Sequence, residues 1–119
     1  MTIVFNKYQG AGNDFIIIDN RKGRFNPNDS DLIKRLCDRR FGIGADGLIL
    51  ISASPEYNFV MKYFNADGFE GSMCGNGGRC SADFALKNGI SCNNIIFNAI
   101  DGPHKAVKEK DIVRLQMND

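Results

Sequence analysis

Residues 73–80 of this chain read MCGNGGRC and hold the spacing with the most chemical content. Behind Cys74 stand Gly75, Asn76, Gly77 and Gly78. Glycine and asparagine in those four positions are poor helix formers, but they suit a backbone that must approach a ligand closely. A helix starting near Asn76 or Gly77 leaves its first N–H groups unpaired. Those donors, at the positive end of the helix dipole, would hold a carboxylate. The same field favours thiolate over thiol at Cys74. A thiolate with no histidine beside it is not set up as a protease-type nucleophile, yet it can act as a general base. Taking the α-proton from an amino acid builds negative charge next to a carboxylate, and donors aimed at that carboxylate stabilise the charge as it forms. Many racemases solve this problem with a Schiff-base lysine and pyridoxal phosphate; nothing in this sequence marks such a lysine.

The other candidates for chemistry are weaker. Four cysteines (Cys37, Cys74, Cys80, Cys92) fit two disulfides only in a secreted context. The first ten residues lack the long apolar stretch and cleavage site of a signal peptide, so the expectation is a cytoplasmic protein with free thiols. Cys74 and Cys80 have five residues between them, more than common zinc spacings allow, and His104 is the only histidine; no metal site is expected. A thiol redox pair typically wants CxxC, which is absent. With 15 basic and 14 acidic side chains, the basic excess of a nucleic-acid binder is missing, and no apolar run reaches membrane-spanning length.

The elements that must position this stretch read as α+β, in one domain of 119 residues with 43% hydrophobic residues. Strands are expected over 2–8 and 14–19, the second carrying Ile16, Ile17 and Ile18. A helix is expected over roughly 30–40, capped by Ser30 or Asp29, with Leu32, Ile33, Leu36 and Cys37 on one face and Gly42 as its stop. Residues 47–52 and 57–64 read as buried strands, and 65–68 as a turn. The second helix runs to about Asn88 with Gly89 as stop, and its apolar girth at Phe84, Ala85 and Leu86 predicts a central, enclosed helix. The tail, over about 94–98, 103–108 and 111–117, reads as three more strands, the last alternating Val113, Leu115 and Met117 against Arg114 and Gln116.

Four segments in order then resemble the diaminopimelate epimerase family: 7–15 (KYQGAGNDF), 39–47 (RRFGIGADG), 65–68 (NADG) and 73–80 (MCGNGGRC). The resemblance spans essentially the whole chain. It implies one lobe of the diaminopimelate-epimerase-like fold, with mixed and antiparallel strands wrapped around a central helix. It also implies a two-base reaction free of pyridoxal phosphate: one cysteine removes the α-proton while a second, protonated cysteine delivers a proton to the other face, interconverting LL- and meso-diaminopimelate. The two thiols need opposite protonation states. By the same resemblance Cys74 takes the position of the first catalytic cysteine, Gly75 and Asn76 bind the substrate α-carboxylate through backbone N–H groups, and Asn13 and Asn65 contact the distal amino-acid end. Some relatives carry glutamine at the position of Gly47, where glycine has no side chain to reach the substrate. The family's second cysteine lies in a C-terminal lobe that this sequence does not contain. Residues 1–119 are therefore expected to be the N-terminal lobe, inactive alone, of a protein that dimerises when intact.

Plainer readings stand beside these. A free cysteine is most often a small buried hydrophobe; that is the expectation for Cys37 and Cys80, and no role is assigned to Cys92. Asn13 and Asn65 also read as turn residues. Residues 42–47 fit GxGxxG, but a helix precedes them and a strand follows, the reverse of a dinucleotide fingerprint. His104 reads as a solvated strand residue, and Lys105, Lys108 and Lys110 as an exposed face. The alternatives in function are a racemase or isomerase of the same fold acting on proline derivatives, and a non-catalytic lobe that binds a small acid.

Overall fold

The computed structural model describes residues 2–10, 12–72, 75–90, 94–109 and 112–116. Seven strands form one sheet in chain order: β1 (Asn6–Gly10), β2 (Asn13–Asp19), β3 (Gly47–Ser52), β4 (Phe59–Asn65), β5 (Asn94–Ala99), β6 (Gly102–Glu109) and β7 (Ile112–Leu115). Two helices interrupt them, α1 (Ser30–Cys37) after β2 and α2 (Gly75–Lys87) after β4. The helices are crossovers, because β2 is parallel to β3 and β4 parallel to β5, while the remaining neighbours pair antiparallel. β3 and β4 run in opposite directions, so β2 and β4 do too. Crossovers of one hand from oppositely directed strands fall on opposite faces of the sheet.

The side chains follow that geometry. Phe15, Ile17, Ile49, Ile51, Phe59 and Met61 pack with Cys80, Phe84 and Ala85 of α2. Their alternate neighbours Ile16, Ile18, Leu48, Leu50 and Phe64 pack with Ile33 and Cys37 of α1. Strands covered on both faces are continuously apolar rather than alternating, which explains the unbroken runs in β2 and β3. β4 and β5 are joined by only two registered pairs, Phe59 with Phe97 and Val60 with Asn98. Across this short seam the sheet wraps α2, which packs against β1, β2, β3 and β4 on one side and against β6 and β7 on the other. The α+β architecture and central helix expected from the sequence are both present.

Four expectations need correction. Residues 2–5 are not strand: β1 pairs with β2 only from Asn6 opposite Ile17, and Val4 is 79% exposed, so the β-prone stretch before it lacks a partner ladder. α1 stops at Cys37 rather than near residue 40. There the Asp38 carboxylate accepts from the N–H groups of Arg40 (2.8 Å) and Phe41 (2.9 Å), a local turn that competes with helix. His104 is buried, stacked on Phe97 with ring centroids 5.5 Å apart, because it shares the inward face of β6 with Ala106. Lys108 is half-buried and pairs with Asp83 of α2 at 3.6 Å. Lys105 is exposed as expected; Lys110 and Met117 lie outside the described residues.

The glycines of 42–47 have structural work of their own. The N–H groups of Ile43 and Gly44 donate to the Leu36 carbonyl, and Ala45 N–H to that of Cys37, so the loop folds back over the end of α1. A Cβ on Gly42 would meet the Arg35 carbonyl oxygen at 2.0 Å. This is close packing between loop and helix, and it accounts for the GxGxxG pattern without a nucleotide.

Candidate active site

The pleat fixes which side chains share a face. On β2, Asn13 lies on the same face as Phe15 and Ile17; on β3, Gly47 lies with Ile49 and Ile51; on β4, Asn65 lies with Tyr63 and Met61. All of these positions belong to the α2 side of the sheet. The register then gathers them at one end. Phe15 stands opposite Gly47, and Gly47 opposite Asn65, so β2 and β3 begin and β4 finishes at the same edge. The first turn of α2 arrives there. Asn76 donates from Nδ2 to Asn13 Oδ1 at 2.9 Å, across 63 residues of sequence.

A polar chain holds these amides in one orientation. Asp46 Oδ2 accepts from Asn13 Nδ2 at 3.5 Å, a long contact, and from the Asp14 N–H at 3.0 Å. That turns Asn13 Oδ1 toward Asn76. At the far end Arg79 Nη2 donates to Asn76 Oδ1 at 2.6 Å. Among the described residues, each amide thereby makes one donated and one accepted side-chain hydrogen bond, about half of its capacity. Behind them lies an ion cluster. Arg39 grips Asp14 with both guanidinium arms, at 2.8 and 3.0 Å, and reaches Asp46 at 3.1 Å. Lys7 meets Asp14 at 3.3 Å, and the Asp46 N–H donates to Asp14 Oδ1 at 3.1 Å. The Arg39 guanidinium, chiefly, with Lys7 and the Asp46 backbone, holds the Asp14 carboxyl well below the usual carboxylate range.

Asn65 is set by the turn that follows it. The Gly68 N–H donates back to the Asn65 carbonyl at 2.9 Å, and the Asn65 N–H donates to the Phe69 carbonyl. Gly68 adopts a φ of +94°, and a Cβ there would strike the Ser30 carbonyl oxygen at 2.2 Å; only glycine suits that position. A Cβ on Gly71 would stand 2.5 Å from Asn65 Nδ2, so the amide lies directly over the Gly71 backbone.

The structure therefore brings Asn13 and Asn76 into contact, starts α2 at Gly75, and places Asn65 on the same face at the same end of the sheet. Cys74, immediately before α2 in sequence, lies outside the described residues, as does Cys92. Cys37 and Cys80 are buried, as expected of packing thiols, and burial pushes the Cys37 thiol up to about 11. Sequence reasoning alone misses Arg39, Asp14, Asp46 and Arg79. Arg39 reads as a cation at a helix end, although it, Asp14 and Asp46 all lie within the family-like segments. Opposite charges clustered in those segments are the available signal.

Solved enzymes share this fold. A hydroxyproline epimerase from Agrobacterium vitis superposes with a TM-score of 0.70 at 12% identity, covering 95% of this chain and 40% of that one. A probable proline racemase from Agrobacterium radiobacter gives 0.68 at 15% identity, covering 98% and 42%. The fold class is thus that of one lobe of the racemase and epimerase structures. Sequence narrows it further. The diaminopimelate epimerase model matches residues 5–116. The diaminopimelate epimerase of Flavobacterium psychrophilum is 55% identical over 95% of this chain and 44% of its own length, and that of Chlorobaculum tepidum 50% identical over 91% and 43%. The chain belongs to the diaminopimelate epimerase family, and it spans less than half the length of these curated relatives.

Proposed function

We propose that this chain is the N-terminal lobe of a two-lobe diaminopimelate epimerase that interconverts the LL and meso forms of its substrate, a step toward lysine and peptidoglycan precursors. One observation carries the reading: the Asn76 to Asn13 hydrogen bond of 2.9 Å at the mouth of α2. It joins two of the family-like segments at the start of a helix, whose first N–H groups have no partner within the helix itself. In this reading the backbone N–H groups of Gly75 and Asn76 hold the substrate α-carboxylate, and their fixed dipoles stabilise charge as the α-proton leaves. Cys74 exchanges that proton on one face of the α-carbon as general acid or base. A second thiol, supplied by the other lobe, serves the opposite face, so the lobe alone does not turn over. The spare hydrogen-bonding capacity of Asn13 and Asn65 meets the distal amino-acid end. No pyridoxal phosphate takes part, and the intact protein works as a cytoplasmic dimer.

The test is exchange of the substrate α-hydrogen with deuterated solvent. In the two-lobe protein, Cys74→Ala should lower exchange by at least about a hundredfold, while the 119-residue chain alone should show none. Full-length rates from the isolated chain would refute the two-lobe requirement, and an active Cys74→Ala protein would refute the thiol.

A further inference from the structure

Gly47 stands on the α2 face at the centre of the site edge, between Phe15 and Asn65, where a longer residue would project toward the ligand. The space above it is already taken. A Cβ on Gly47 would lie 2.6 Å from Tyr63 Cε1 and 2.8 Å from its hydroxyl oxygen. The phenol therefore leans along the strand direction, past its own backbone position, and sets its hydroxyl over Gly47. Phe15 supports the ring from the side in an edge contact, with centroids 6.0 Å apart and planes at 77°. The ring remains half-buried rather than sealed in the core. Antiparallel partners sit roughly 5 Å apart, so the hydroxyl hangs within side-chain reach of Asn65.

We propose that Tyr63 is a specificity-determining residue whose hydroxyl hydrogen-bonds the distal amino-acid end of the substrate, beside Asn65. The inference rests on the epimerase reading and deepens it. Gly47 is then small because Tyr63 needs the room, and the polar contact at this edge comes from β4 instead of β3. A phenol donates to a carboxylate or accepts from an ammonium, so it matches either group of that end. It does not act on the reacting carbon, which the α2 mouth holds.

Tyr63→Phe in the two-lobe protein tests this, because it keeps the ring and removes one oxygen. Two quantities are read: kcat and KM for diaminopimelate, and the inhibition constant of 2-aminoheptanoate, which retains one amino-acid end and ends in a methyl group. The expected result is a KM raised about tenfold or more, the worth of a hydrogen bond to a charged group, with kcat within about twofold and the inhibition constant unchanged. An unchanged KM, a loss confined to kcat, or equal weakening of substrate and inhibitor would overturn the proposal, the last by showing a purely structural role. Absence of diaminopimelate turnover in the unsubstituted protein would instead sink the epimerase reading on which it rests.

Discussion

α1 begins behind the carboxylate of Asp29, which accepts from the Leu32 N–H at 3.1 Å, and it carries Asp31 in its first turn. α2 begins with Gly75, Asn76, Gly77 and Gly78 and has no acidic residue in its first turn. The first helix neutralises its own positive end with side chains placed for the purpose. The second has no carboxylate in its first turn and carries the Arg79 guanidinium against Asn76. Both helices cover the same sheet, one on each face, and on α2 the glycines Gly77 and Gly78 are buried. A start that is poor for stability, on the helix with the more enclosed position, departs from the local rules that α1 obeys.

Substitutions can break this comparison or sharpen it. The largest effect belongs to the enclosed helix. Phe84, 3% exposed within the α2 cluster, should cost about 3–5 kcal/mol when replaced by Ala, read from urea unfolding. A loss below about 1 kcal/mol would mean that α2 is not the centre of the core. Next comes the turn that ties the two regions together. Gly68→Ala places a Cβ against Ser30 at the start of α1 and strains a φ of +94°. It should cost about 1–3 kcal/mol and raise KM by moving Asn65.

The helix starts themselves give the sharpest contrast. Asp29→Ala should lower stability by about 1 kcal/mol and leave KM alone. Asn76→Ala keeps the backbone N–H but removes the side-chain hydrogen bonds to Asn13 and Arg79, so it should cost no more than about 1 kcal/mol and raise KM by freeing the Asn13 amide. Matching profiles from the two variants would erase the distinction drawn between the helices. The smallest effect is one of pH. Asp14 titrates well below its unfolded value, so its pairing stabilises the fold above about pH 4, where the unfolded carboxyl is ionised. That stability fades as pH falls toward the depressed folded value. Arg39→Met should flatten the acid limb of a stability-versus-pH curve, and an unchanged limb would show that Lys7 and the Asp46 backbone suffice.

Much of this is legible in the residues. The sequence places β3 at its observed bounds, because an unbroken apolar run between glycine and serine has little else to be, and α2 stops before Gly89 with φ +69° as the sequence signals. Asn13 and Asn76, from two separate family-like segments, are in contact. What the sequence hides are relations settled only by neighbours. Residues 2–5 have strand composition without a strand beside them. His104 reads as polar until Phe97 and Asp101 enclose it, its Nε2 standing 2.7 Å from Asp101 Oδ1. Arg39 looks like a helix-end cation until the loop after α1 folds back and delivers it to Asp14. The occlusion of Gly47 by Tyr63 likewise depends on a diagonal contact between strands that no local pattern announces.

The claim beneath all of this is that Cys74 is the reactive thiol of the chain and that the buried thiols are not. Brief alkylation of the native protein with iodoacetamide at neutral pH, followed by peptide mapping, measures it directly. Cys74 should be modified first and be shielded by diaminopimelate in the two-lobe protein. Cys37, 2% exposed and with its thiol pushed up to about 11, should be among the last. Labelling of Cys37 or Cys80 ahead of Cys74 would contradict the account.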